Sequence, residues 1–169
     1  MTRKPSAAQV RALLKYHPET GVLRWRVDRG CKIKAGDVAG SPNKINGRRR
    51  VGIDSRTYRA GHLIWLMQTG EWPPAGFEID HRDRDPSNNR WANLRLATSA
   101  QNKWNTRKRN HNRSGFKGVC LFKPTGRFKA SIRAGGKQRH LGYFADPWLA
   151  YLAYCKAARK LHGEFRRTA

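Results

Sequence analysis

The stretch Glu78-Ile-Asp-His-Arg-Asp-Arg-Asp-Pro-Ser-Asn-Asn-Arg-Trp-Ala-Asn-Leu-Arg-Leu-Ala-Thr-Ser-Ala-Gln-Asn102 decides the reading of this chain. Residues 77–81 alternate like a strand and end on the pair Asp80-His81. A polar run rich in Asp, Pro, Ser and Asn follows, the chemistry of a turn. Residues 93–97 alternate again, and a polar helix starts near Thr98. Two short strands around a turn, followed by a helix, form a ββα unit. Such a unit brings Asp80-His81, Asn93 and Asn102 to one place.

Charge says what that place faces. The chain has 169 residues, 36 Lys plus Arg and 11 Asp plus Glu, a formal charge of +25. A compact chain so charged repels itself unless a polyanion neutralises it, and phosphate neutralisation with counterion release makes nucleic acid the natural partner. The acids are uneven: Glu78, Asp80, Asp83 and Asp85 crowd together, and none follows from 86 to 145. A basic chain that concentrates carboxylates is using them either for a divalent cation or for a solvated turn. Phosphodiester hydrolysis needs a base for water and a cation for the leaving oxygen. His81 has the side chain for the first role, and Asp80 and Asn102 offer hard oxygens for Mg²⁺ or Mn²⁺. An Asp-His pair alone is usually structural; its combination with Asn93 and Asn102 carries the expectation. Asn88 and Asn89 read as turn formers, His62 as a structural histidine on an apolar helix. Arg90 and Arg95 face either phosphate or solvent.

Outward from this stretch, residues 6–16 read as a helix, 22–27 and 49–53 as strands, 57–59 as the start of a third, and 61–69 as an apolar helix closed by Gly70 and Pro73-Pro74. Residues 30–47 are loop-rich. The apolar-free basic run from 106 onward reads as a linker, with Arg107, Lys108 and Arg109 tracking a phosphate backbone and Lys103 beside them. Beyond it, 116–122, 127–133 and 138–144 read as three strands. A helix over 147–161 follows, capped by Asp146 and Pro147. Ala150, Ala153, Ala157 and Leu161 are its expected inner stripe. In the middle strand Phe128, Ala130 and Ile132 alternate with Arg127, Lys129, Ser131 and Arg133, so the apolar set faces the helix and the basic set faces out. Leu141 points inward, which leaves Gln138 and His140 outward; Lys117 precedes the sheet.

The expected fold class is α+β. A ββα-metal core with N-terminal strands and helices fills 1–105, a basic linker 106–113, and a three-stranded antiparallel sheet on one helix 114–169. Cys31, Cys120 and Cys155 show no paired spacing, which argues against a zinc knuckle or a disulfide framework and for a reducing cytosol. The start lacks a signal-peptide core, and no apolar run reaches the ~18 residues of a membrane span. A cytoplasmic protein without a membrane partner is the expectation.

Asp80-His81, Asn93 in the Asn-Leu-Arg run and Asn102 make residues 12–105 resemble the HNH homing endonucleases, particularly phage-type members. The resemblance implies an endonuclease on double-stranded DNA in a bacterial or phage-infected cell. It assigns the divalent cation to Asp80 and Asn102, general base to His81, and orientation of that base to Asn93. Asn102 stands where many members have His, which favours Mg²⁺ or Mn²⁺ over zinc. Gly115-Phe-Lys-Gly-Val119, Arg127-Phe-Lys-Ala-Ser-Ile-Arg133, His140-Leu-Gly-Tyr-Phe144 and Ala157-Ala-Arg-Lys-Leu-His-Gly163 resemble the APETALA-type domain of ethylene-response factors. That resemblance implies a sheet laid in the major groove. His140 and Cys120 depart from the family's usual Trp and Arg and leave base preference open. One active site in a monomer predicts a nick; a dimer would cut both strands. The competing readings are a non-catalytic, sequence-specific DNA-binding regulator and an RNA-binding protein.

Overall fold

The computed structural model describes residues 4–105 and 112–166. The expected linker falls mostly on 106–111, so Arg107, Lys108 and Arg109 lie outside the described residues. The class is mixed: among the described residues there are four α-helices and four small antiparallel sheets. The chain divides into two compact units, 1–99 and 100–169.

The first unit opens with α1 (Ala7–Leu13), started by a capping box in which the Ser6 hydroxyl accepts from the Gln9 N–H and the Gln9 side-chain Oε1 accepts from the Ser6 N–H. The helix stops three residues before the sequence reading placed its end. Leu14–His17 is strand β1, paired with β2 (Val22–Trp25) from Leu14↔Trp25 to His17↔Val22. His17 precedes Pro18, which disfavours helical geometry there, and Leu14 reaches the core from a strand as well as from a helix. Next come β3 (Ser41–Pro42), β4 (Arg49–Ile53) and β5 (Arg56–Arg59), in the order β3-β4-β5. α2 (Ala60–Thr69) follows and ends on Gly70, whose positive φ of 83° suits glycine. It buries Leu63, Ile64 and Leu66 against Val10, Leu14, Leu23, Val51 and Ile53. The hairpin of β6 (Phe77–His81) and β7 (Leu94–Thr98) completes this unit and adds Ile79 and Leu94 to the same core. α3 (Ser99–Trp104) begins at the division between units.

The second unit is a sheet of β8 (Val119–Phe122), β9 (Arg127–Ala134) and β10 (Lys137–Phe144) in the order β10-β9-β8, packed on α4 (Pro147–His162). Ala130 and Ile132 are buried beneath α4, while Arg127 and Arg133 are exposed. A bulge between His140 and Gly142 adds Leu141 to the inner face; His140 still pairs with Ser131, and Gln138 with Arg133. The inner stripe of α4 is Ala150, Tyr154, Ala158 and His162, one residue off the expected one after Ala150. Gly118 makes this possible: a Cβ there would lie 2.1 Å from the Tyr154 ring.

Candidate active site

Pairing in the β6–β7 hairpin sets the first distances. Asp80 stands opposite Arg95 and His81 opposite Leu94. The Asp80 Oδ2 accepts from Arg95 Nε and Nη2, both at 2.9 Å, and both side chains are buried. Arg95 is thus turned inward onto Asp80 rather than presented to solvent, and it fixes the orientation of that carboxylate.

The loop joining the strands is held by its own polar side chains. Asn93 sits in a 3-10 turn (Trp91–Asn93) just before β7 rather than inside the strand. Its Oδ1 accepts from the Asp83 N–H at 3.0 Å, and its Nδ2 donates to Asp83 Oδ1 at 2.9 Å and to the Asn88 carbonyl at 2.7 Å. Asp83 also accepts from the Asp85 N–H and the Asn88 amide, and Asp85 accepts from Ser87. Burial pushes the Asp83 carboxyl up, but these hydrogen bonds outweigh it and leave it below the usual range. The Asp85 carboxyl is held low by the Ser87 hydroxyl and N–H. Asp83 and Asp85 therefore serve the loop, and Arg84 takes a left-handed φ of 70° within it.

His81 is buried, and its Nε2 lies 3.2 Å from Asn89 Oδ1. Asn89 donates its Nδ2 to the Ser87 carbonyl at 3.1 Å, which orients the amide so that only its oxygen faces His81. His81 Nε2 must then be the donor, and a neutral ring carries its lone pair on Nδ1. Burial, the largest influence, pushes the His81 pKa down, against the hydrogen bond to the Asn89 oxygen, which raises it. The ring is therefore neutral near neutral pH, as a base must be.

Asn89, read from sequence as a turn former, is the amide that meets His81; the side chain of Asn93 instead ties the loop. Asn89 is only 4% exposed and is braced from two directions. The Tyr16 hydroxyl donates to its carbonyl at 2.9 Å. Gly21, at φ 74°, lies so close that a Cβ would sit 2.5 Å from the Asn89 carbonyl carbon and the Arg90 nitrogen. Arg90 is exposed on the same loop. His62 lines a cleft beside His81, and burial, then Arg59, Arg48 and Lys4, push its pKa down to about 4.

The sequence resemblance implies a divalent metal at this site. Among the described residues no three His, Cys, Asp or Glu side chains gather into a metal cage. The donors fit an open site instead: Asp80 is an oriented carboxylate, and hard cations accept amide oxygen, phosphate and water for the remainder. Asn102 is half-buried on α3 in the second unit, and Lys103 beside it is exposed.

On the second unit, Arg127, Arg133, Gln138 and His140 are exposed, and Lys129 and Ser131 half-buried, on the sheet face away from α4. Gln138 Nε2 donates to Ser131 Oγ at 3.1 Å. Lys117 Nζ donates to the Trp104 carbonyl at 2.6 Å, a role the sequence did not suggest. No helix among the described residues is long and apolar enough to cross a membrane.

Residues 58–104, from β5 through α3, match the family described as HNH endonuclease. The chain is also similar to Protein 3.8 of Escherichia phage T7, 36% identical over 105 residues, which span 62% of this chain and 84% of that protein. No solved structure matches it. The chain belongs to one family with Protein 3.8 of phage T7, and its HNH endonuclease domain makes it a nuclease, a phosphodiester hydrolase whose implied substrate is DNA.

Proposed function

We propose that the chain is a metal-dependent endonuclease of the homing type that nicks double-stranded DNA at sites chosen by its C-terminal sheet. In this reading His81 Nδ1 takes the proton of the attacking water, while Nε2 stays protonated on Asn89. Asp80, with Asn102 as the second ligand that the family resemblance assigns, would hold Mg²⁺ or Mn²⁺, which would supply charge stabilisation at the leaving oxygen. Asn93 acts through the loop, keeping Asp83 and Asn88 in place around the base. Arg90 and Lys103 contact phosphates.

The observation that carries the reading is the buried His81, fixed by the braced Asn89 amide and adjacent to the oriented carboxylate of Asp80. The C-terminal part of the proposal rests on the alternation in β9 and its register with β10, which sets Arg127, Lys129, Ser131, Arg133, Gln138 and His140 on one face. An antiparallel sheet with such a face can read guanine through arginine and phosphate through lysine, as the ethylene-response-factor-type domain does. The proposed domain division stays at 1–105, 106–113 and 114–169, with the chain acting as a monomer.

Supercoiled plasmid is the test. Wild-type protein with Mg²⁺ is expected to give open-circle product, and His81→Ala to bind DNA without cutting it. Linear product formed directly at low enzyme would replace nicking by paired cutting. Cleavage retained in His81→Ala would remove His81 as the base.

A further inference from the structure

A narrow cleft, itself only about 10 Å³, opens beside His81 and is lined by Arg48, Arg49, Arg59 and His62 together with His81 and Asn89. These arginines come from the loop before β4, from β4 itself and from the junction of β5 with α2. They lie 22 to 33 positions before His81 in the chain, and only the fold brings them together. Among the described residues none of the three makes an ion pair. Arg49 Nη1 donates to the Gly40 carbonyl at 2.6 Å, so its head is already tethered. Arg48 is half-buried and Arg59 is its cationic neighbour. Glu78 and Asp80 touch this balance only weakly, through space.

Holding the half-buried Arg48 beside a second guanidinium without a counter-charge is unfavourable, because Arg48 loses water and Arg59 repels it. The same crowding is visible at His62, where Arg59 and Arg48 add to burial in holding the ring neutral. A folded chain keeps such an arrangement where a ligand supplies the missing charge. The planar fork of arginine matches the oxygens of a phosphate group, and the walls shared with His81 put that phosphate next to the base.

We infer that the cleft formed by Arg48, Arg59 and His62 is a seat for one backbone phosphate of the DNA strand being cut. The inference rests on the nuclease reading above and adds to it the group that docks the strand against His81. The seat belongs to the N-terminal scaffold, which would give residues 48–62 a direct part in substrate binding.

The test uses the full chain carrying Arg48→Met, Arg59→Met, or both, with Arg29→Gln as a surface control. The first arm follows the His62 ring signals by NMR as inorganic phosphate is added. Wild type is expected to shift and saturate, and the double variant not to respond. The second arm measures duplex binding in the His81→Ala background. Each seat arginine is expected to contribute about tenfold in affinity, and its loss to lower the salt slope by about 1. Arg48→Met is also expected to keep or raise Tm, since it removes an uncompensated half-buried charge, whereas an arginine kept for packing would lower it. If Arg48→Met fails to fold, the exposed Arg59→Met alone carries both arms. An unmoved His62, or variants that bind DNA with wild-type affinity and slope, would overturn the seat. Phosphate binding with no effect on DNA affinity would reduce it to a small-anion site and overturn it equally. A wild type that binds through the seat but cuts nothing with Mg²⁺ or Mn²⁺ would sink the nuclease reading and leave the seat standing.

Discussion

Replacing Asn89 by alanine isolates the positioning of the base from everything else in the site. Asn89 Oδ1 accepts from His81 Nε2 at 3.2 Å, Asn89 is 4% exposed, and its amide is oriented by the Ser87 carbonyl at 3.1 Å. Alanine removes the acceptor and leaves a buried ring N–H without it, a loss of ~1–3 kcal/mol. The ring either remains in place at that cost or turns to find another acceptor, and the productive orientation is depleted by the same free energy. That corresponds to a fall of ~5–150-fold in the chemical step. Asn89 is uncharged and its Oδ1 is turned to His81 rather than offered to a phosphate, so affinity should change less than threefold. Single-turnover nicking at saturating enzyme reads the first quantity, and equilibrium duplex binding reads the second. Asn89→Asp adds a signature that mere destabilisation lacks. A carboxylate on Nε2 favours the imidazolium, so the acid limb of the rate profile should move to higher pH. A wild-type single-turnover rate in folded Asn89→Ala would refute the reasoning.

Three further outcomes follow from packing and charge. Arg95→Met removes both guanidinium nitrogens from the buried Asp80 Oδ2 and should cost ~3–5 kcal/mol, read as a drop in urea midpoint; a loss under ~1 kcal/mol would mean the pair is dispensable. Gly118→Ala forces a Cβ to within 2.1 Å of the buried Tyr154 ring at a φ of 78°. Strain and overpacking together should cost ~2–5 kcal/mol, and circular dichroism should show the C-terminal unit melting earlier; an unchanged melt would refute the packing. His62 is pushed from 6.5 to about 4, so between those values the unfolded chain binds a proton that the folded chain refuses. Stability from this group is complete above pH 6.5 and is lost as pH falls toward 4. A full shift of this size is worth ~3 kcal/mol, and partial solvent screening of the half-buried ring reduces it to ~1–2 kcal/mol. His62→Asn should flatten the urea midpoint between pH 7.5 and 4.5, and an equally steep dependence in that variant would assign the effect to other groups.

The parts legible in the sequence were those written in local alternation. Phe77–His81 and Leu94–Thr98 pair as the periodicity suggests, with the polar turn between them, and β9 shows its two faces in its residue order. What escaped was decided by contacts far along the chain. Asn89 has the composition of an ordinary turn residue, and its role appears only because Tyr16 and Gly21 press its backbone into place from 73 and 68 positions away. Arg48 and Arg59 sat in a loop and at a strand end, where an arginine usually meets solvent. The run Arg48-Arg-Arg50 is the available signal, since consecutive cations leading into an alternating strand cannot all face the same way. The face of α4 was misjudged after Ala150 because alanines three and four apart fit an inner stripe equally well. Gly118, by making room for Tyr154, decides between them.

The acids explain why the positive cleft stays open. In a chain with 36 cations and 11 acids, a carboxylate near any arginine would be drawn into an ion pair that competes with DNA. The structure commits several of those carboxylates to internal geometry. Asp80 Oδ2 is engaged by Arg95, Asp83 and Asp85 serve the loop, and Asp146 accepts from the N–H groups of Trp148 and Leu149 at the start of α4. Asp28 accepts from the Ala35 N–H and the Lys34 ammonium. A carboxylate engaged by backbone N–H groups or buried with one partner is a poor competitor for a guanidinium elsewhere, because leaving would strand polar groups. Arg48 and Arg59 therefore keep their charge available at the cleft. Introducing an acid at the cleft rim, for example Pro86→Glu, should weaken duplex binding by more than the loss of one surface arginine. It installs the missing counter-ion where the phosphate is meant to sit.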